Sequence, residues 1–153
     1  MTQLQRDAVA HPGVFQFAGP LSRPELDRAL GRYAAVVPED LVQLWCDLGG
    51  GDFFESETLL SPRPRIPTED DLLETNRYLW QRGLPPHYLV FHVGIRLTAI
   101  QPTDQPYIVL HPETFAEEGS YGSVEDWYIQ TVRKELGWRY GIGPPDDRRG
   151  RGR

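Results

Sequence analysis

Residues 88–110 read YLVFHVGIRLTAIQPTDQPYIVL, and the reading of this stretch decides the fold. Tyr88 to Val93 is apolar and rich in aromatic and β-branched side chains, Gly94 permits a turn, and Ile95, Leu97, Ala99 and Ile100 continue as a second strand. The turn Thr103, Asp104, Gln105, Pro106 then leads into a third strand, Tyr107 to Leu110. Links this short join strands antiparallel, because a parallel neighbour needs a crossover of a dozen or more residues. Helical patterns flank the meander in sequence, so the expected class is α+β with a largely antiparallel sheet.

Upstream, Ser22 stands three residues before Glu25 as a capping box, and Leu26, Ala29, Leu30 and Tyr33 follow at helical spacing, which predicts a helix over about 23–33. Pro38 opens a second helix with Glu39 and Asp40 in its positive first turn; Leu41, Leu44, Trp45 and Leu48 form its stripe and Gly49, Gly50 and Gly51 stop it. Phe53, Phe54, Leu59 and Leu60 suggest a short strand or hairpin edge, and the proline-rich run SPRPRIP reads as a surface crossing. Thr68 caps a third helix with Glu69, Asp70 and Asp71 on its dipole, carried by Leu72, Leu73, Asn76, Leu79 and Trp80 to Gly83. Ser123 and Asp126 cap the last helix, with Val124, Trp127, Tyr128, Thr131, Val132 and Leu136 recurring at spacings of three and four and Gly137 as the expected left-handed stop.

The chain has 153 residues, the size of one ordinary domain with a core of its own. We expect an N-terminal extension over 1–21, a domain over 22–143 and a disordered basic tail over 144–153, where PPDDRRGRGR offers no apolar anchor. Arg6, Asp7 and His11 interrupt any secretory signal, no apolar run is long enough to span a membrane, and one cysteine cannot form an internal disulfide. The expectation is a cytoplasmic protein with no membrane contact. Net charge is −6, yet four of the sixteen basic residues lie in the last six positions, so residues 1–147 hold 12 basic against 22 acidic residues, a charge of −10. That balance disfavours direct nucleic-acid binding, which needs clustered Lys and Arg, and suits a basic protein partner.

Chemistry-bearing constellations are sparse. His11, His87, His92 and His111 are scattered and do not form a ligand pair, so no metal and no cofactor is expected. Cys46 sits within a helix beside Trp45 and reads as packing, and the glycine block follows a helix and lacks the ending of a phosphate loop. The four tryptophans read mostly as core, with Trp138, past the last helix, placed to fold back over an edge. Acidic residues cluster at Asp52, Glu55 and Glu57, and again at Glu69, Asp70, Asp71 and Glu74. These seven, chosen from charge alone, are the candidate partner-binding residues; the plain alternative is a solvated face plus helix caps.

The order of these elements resembles the SUKH superfamily, whose eukaryotic relatives include the yeast cell-wall-assembly regulator. The resemblance rests on Pro38, Leu41, Leu44 and Trp45 with Gly49, Gly50 and Gly51; on Leu84, Pro85, Tyr88, Leu89, Val90 and Phe91; on Tyr107, Ile108 and Val109; and on Ser123, Val124, Glu125, Asp126 and Trp127, covering roughly residues 22–136. The family often has Asn before the glycine pair, where this chain has Leu48 and Gly49, and often Phe where it has Val124. The resemblance implies a mixed sheet with packed helices and a non-enzymatic role as a bacterial immunity protein that neutralises a cognate toxin, often a nuclease. A regulatory or scaffold module of the same fold is the alternative. An enzyme would require a cleft that brings His92 or His111 near a carboxylate.

Overall fold

The structure, a computed structural model, describes residues 1–143; the tail expected over 144–153 lies outside the described residues. Folding of the chain begins earlier than residue 22. The Thr2 hydroxyl accepts the Gln5 N–H at 3.2 Å and the Gln5 side chain accepts the Thr2 N–H at 2.7 Å, a reciprocal cap that starts α1 (Gln3–Ala10). A first strand, β1 (Phe15–Phe17), follows. Residues 1–21, expected as an extension, thus supply a helix and an edge strand of the domain itself.

Ser22 caps α2 (Arg23–Leu30), which tightens into a 3-10 turn over Gly31–Ala35. In α3 (Glu39–Leu48) the stripe Leu41, Leu44 and Trp45 is buried, and Gly49 ends the helix at φ 70°. Gly51 then opens β2 (Gly51–Phe53) at φ 150°, with the Gln16 carbonyl lying where a Cβ would be. Any larger residue there would separate β1 from β2, which pair Phe17 with Gly51. A hairpin leads to β3 (Glu57–Leu59), with Phe54 and Glu55 at positive φ in its turn.

The acidic helix α4 (Leu72–Gln81) starts three residues later than expected. Its cap is Asp71, whose carboxylate accepts the Glu74 N–H at 2.8 Å, and Thr68 lies outside it. The quoted stretch forms β4 (Leu89–Val93), β5 (Leu97–Ile100) and β6 (Tyr107–Leu110), and a further strand, β7 (Glu117–Tyr121), completes the sheet. Strand order equals chain order from β1 to β7, and every neighbouring pair is antiparallel. The fold is therefore α+β, with an open antiparallel sheet; the parallel pairing among the described residues is one isolated bridge, Ser61 with Asp71. Beyond the short β3, the amide of buried Asn76 takes over as a strand surrogate for β4, accepting the Val90 N–H at 2.7 Å and donating to the Val90 carbonyl at 2.8 Å.

Ser123 caps α5 (Val124–Tyr128), which widens into a π turn over Ile129–Arg133 before α6 (Lys134–Leu136). The Thr131 hydroxyl bonds the Trp127 carbonyl at 2.5 Å, a back-bond of the kind that bends helices. Gly137 is not the left-handed stop; its φ is −57° and the chain continues through a 3-10 turn to Gly141, which is left-handed at φ 74°. Trp45, Trp127, Phe53, Phe54, Phe91, Tyr107 and Tyr128 are the largest fully buried side chains. Trp138 does not fold back over an edge: it stands 70% exposed. No helix among the described residues is long and apolar enough to cross a membrane.

Candidate functional site

The seven acidic candidates separate into two kinds. Glu57 alternates with Leu59 along β3, so the period of two puts it on the same face as a core leucine, and it is 2% exposed. Its Oε1 lies 2.8 Å from His92 Nε2 on β4, itself 2% exposed. The Ser56 hydroxyl and the Ile95 N–H donate to Oε2 at 2.6 and 3.2 Å. On the far side of the ring, His92 Nδ1 lies 3.0 Å from Thr98 Oγ1, which also accepts the Trp127 indole N–H at 2.9 Å. An indole nitrogen only donates, so the run orders itself as Trp127 to Thr98, the Thr98 hydroxyl to His92 Nδ1, and His92 Nε2–H to Glu57. A doubly protonated ring would leave the Thr98 hydroxyl proton without an acceptor in this cluster.

Burial acts to raise the Glu57 carboxyl pKa, but the hydrogen bond from His92, with those from Ser56 and the Ile95 N–H, outweighs it and holds the group below its ordinary value. Gly94 fits because the Glu57 carboxylate occupies the space of a Cβ at that position. The cavity beside the cluster measures about 20 Å³, room for about one water. His92 and a carboxylate are thus within hydrogen-bond reach, as an acid–base site would need, yet they are sealed between β3, β4, β5 and α5. In this arrangement the cluster is a clasp between strands.

Glu69 is also buried, at 6% exposure, and serves as a backbone receptor. Its Oε1 accepts the Arg65 and Ile66 N–H groups at 2.7 and 3.2 Å, and Oε2 accepts the Gly50 N–H at 3.0 Å. Arg65 closes the same crossing by donating to the Gly19 and Pro20 carbonyls at 2.6 and 2.7 Å. Glu69 therefore binds the proline-rich loop to the glycine block, and neither it nor Glu57 is available to a partner. This corrects their assignment to a binding face.

The remaining five keep their carboxylates at or near the surface. Glu55, Asp70 and Glu74 are exposed, and Asp52 and Asp71 are half-buried. Asp52 accepts the Thr58 hydroxyl at 2.9 Å and Asp71 caps α4. Because Glu69 accepts the Gly50 N–H, the loop before α4 is tied to the start of the hairpin that bears Asp52 and Glu55. None of the five forms an ion pair among the described residues, whereas Asp27 and Glu39 share Arg23, Glu25 meets Arg63, and Glu118 and Glu135 share Arg96.

The other reactive groups are committed or dispersed. His111 Nδ1 accepts the Glu113 and Thr114 N–H groups within its turn, and His87 is exposed. Burial pushes the Cys46 thiol pKa up, away from the thiolate a nucleophile needs. Among the described residues no group of three or more His, Cys, Asp or Glu is arranged to hold a metal ion.

A second buried centre went unread in the sequence. Asp7, 4% exposed on α1, accepts from the Tyr128 hydroxyl at 2.6 Å, Arg133 Nε at 2.7 Å and Gln3 Nε2 at 2.9 Å. Burial, then the Asp7 hydrogen bond, raises the Tyr128 pKa strongly. Across the fold, the Asp40 carboxylate gathers the Tyr107 hydroxyl and the Val124 N–H, joining α3, β6 and the start of α5. The helical stripes of α1 and α5 were the available signal, but nothing local pairs residue 7 with residue 133.

Compared with known protein families, curated proteins and solved structures, the chain matches none.

Proposed function

We propose that this chain is a protein-binding module of the SUKH kind, a cytoplasmic immunity protein that occludes a basic toxin domain, most simply a nuclease. The observation that carries the reading is the set of five carboxylates with no ion pair among the described residues, Asp52, Glu55, Asp70, Asp71 and Glu74, on two segments that buried Glu69 ties together at Gly50. An uncompensated acidic surface speeds encounter with a basic partner and repels nucleic acid. The enclosure of His92 and Glu57, the one histidine–carboxylate pair within reach among the described residues, supports a binding role over a catalytic one.

The test is co-expression with the toxin-like domain encoded beside the gene, scoring survival and recovering the complex. Rescue with a stable complex is expected, and Glu55→Lys, Asp70→Lys and Glu74→Lys together should slow association by about tenfold at low salt. Rescue that is unaffected by the triple reversal removes the acidic face from the reading; no rescue and no complex leaves the scaffold module.

A further inference from the structure

A groove of about 340 Å³ opens where β4 begins and β5 ends, away from every acidic candidate. Leu89 and Ile100, paired across the two strands, line it, and Tyr33, Trp80 and Tyr88 add aromatic walls. Both the volume and an aromatic, aliphatic lining with few polar groups are those of small-ligand sites.

Two donors of the walls are already engaged. The Trp80 indole N–H donates to the Tyr88 carbonyl at 3.0 Å, and the Tyr88 hydroxyl donates to Glu117 at 2.7 Å. Those are two of the donors that an extended peptide's carbonyls would use in an aromatic groove. A flat ring needs no such donor. The Tyr33 and Trp80 rings lie 6.5 Å apart between centroids with 26° between their planes, a stacked pair beside which a further ring can pack.

One charge in the groove is uncommitted. Arg32 lies 5.1 Å from the centroid of the Tyr33 ring, donates to the Tyr33 hydroxyl at 3.1 Å, and stands in no ion pair among the described residues. Arg23, Arg63, Arg96 and Arg133 each hold a carboxylate. A guanidinium steadied on a ring with N–H groups to spare is suited to a carboxylate. We propose that this groove binds a small aromatic carboxylate, its ring on Tyr33, Trp80 and Tyr88 and its acid group on Arg32.

The test is a titration of the isotope-labelled full chain, followed by amide and side-chain NMR shifts, with naphthalene-2-carboxylate, naphthalene-2-methanol and acetate. The carboxylate should give saturable shifts centred on Tyr33, Trp80, Leu89 and Ile100, with a Kd on the order of a millimolar. The neutral alcohol should bind about fivefold more weakly, and acetate should not saturate. Arg32→Gln should abolish the preference for acid over alcohol, while Tyr33→Leu, with Arg32 intact, should weaken both by about fivefold. The proposal is overturned by non-saturating shifts with the carboxylate, by shifts centred elsewhere, by equal affinity for acid and alcohol, or by an Arg32→Gln chain that keeps the preference. Tighter binding of a proline-rich peptide in the groove overturns it in favour of a peptide site.

Discussion

Glu57 and Asp7 are both carboxylates inside the protein, one in the sheet and one between α1 and the C-terminal helix, and they are stabilised in opposite ways. Around Glu57 the partners are a histidine, a serine hydroxyl and a backbone N–H, and the run from Trp127 ends with every donor matched to an acceptor. Asp7 instead faces the guanidinium of Arg133, 7% exposed, whose Nη1 is buried without a hydrogen-bond partner among the described residues. One centre depends on complete hydrogen bonding and the other on opposite charge. The difference predicts what each leaves behind when a member is removed: unmatched dipoles in the sheet, an unneutralised cation at the helix junction.

Asp7→Ala should therefore be the most damaging change, costing about 3–5 kcal/mol by urea unfolding, because Arg133 is left charged and enclosed. A loss under about 1 kcal/mol would mean that Arg133 swings out to water and that the contrast fails. Glu57→Gln keeps the shape but turns one acceptor toward Ser56 or Ile95 into a donor, and should cost about 1–3 kcal/mol. Its pH dependence sharpens the point. The folded Glu57 pKa lies below the ordinary 4.5, so its stabilisation is complete above about pH 4.5 and fades as pH falls through the folded value. The gap between wild type and Glu57→Gln should be flat above that pH and narrow below it; a gap that widens on acidification would reverse the sign. Glu55→Lys, at the exposed hairpin turn, should shift stability by no more than about 0.5 kcal/mol, and a larger loss would show that this acid too is structural.

Legibility in the sequence followed locality. The caps at Ser22 and Ser123, the α3 stripe and the strands from 88 to 110 rest on spacings of a few residues, and they appear where the spacings put them. β7 escaped notice because EEGSY carries almost no apolar signal, being held by β6 on one side. β1 is three residues long and owes its place to Gly51. The candidate site was half legible. Glu57 could have been found from its alternation with Leu59 and Phe53 along the hairpin, but charge was weighed there before period. Glu69 sits in an irregular loop, and no spacing announces that its carboxylate will receive backbone N–H groups from Gly50, Arg65 and Ile66.

Because strand order follows chain order, the molecule has a direction in time as well as in space. A chain emerging from the ribosome at roughly 5–20 residues per second can add strands β2 through β7 one beside the last, each finding its neighbour already made. The first helix has no such luck. Asp7 precedes Tyr128 and Arg133 by 121 and 126 residues, so this contact of α1 must wait until all seven strands have been made. Until then Asp7 faces neither its cation nor its tyrosine hydroxyl, and the junction between α1 and the π turn closes only after every strand pair is in place.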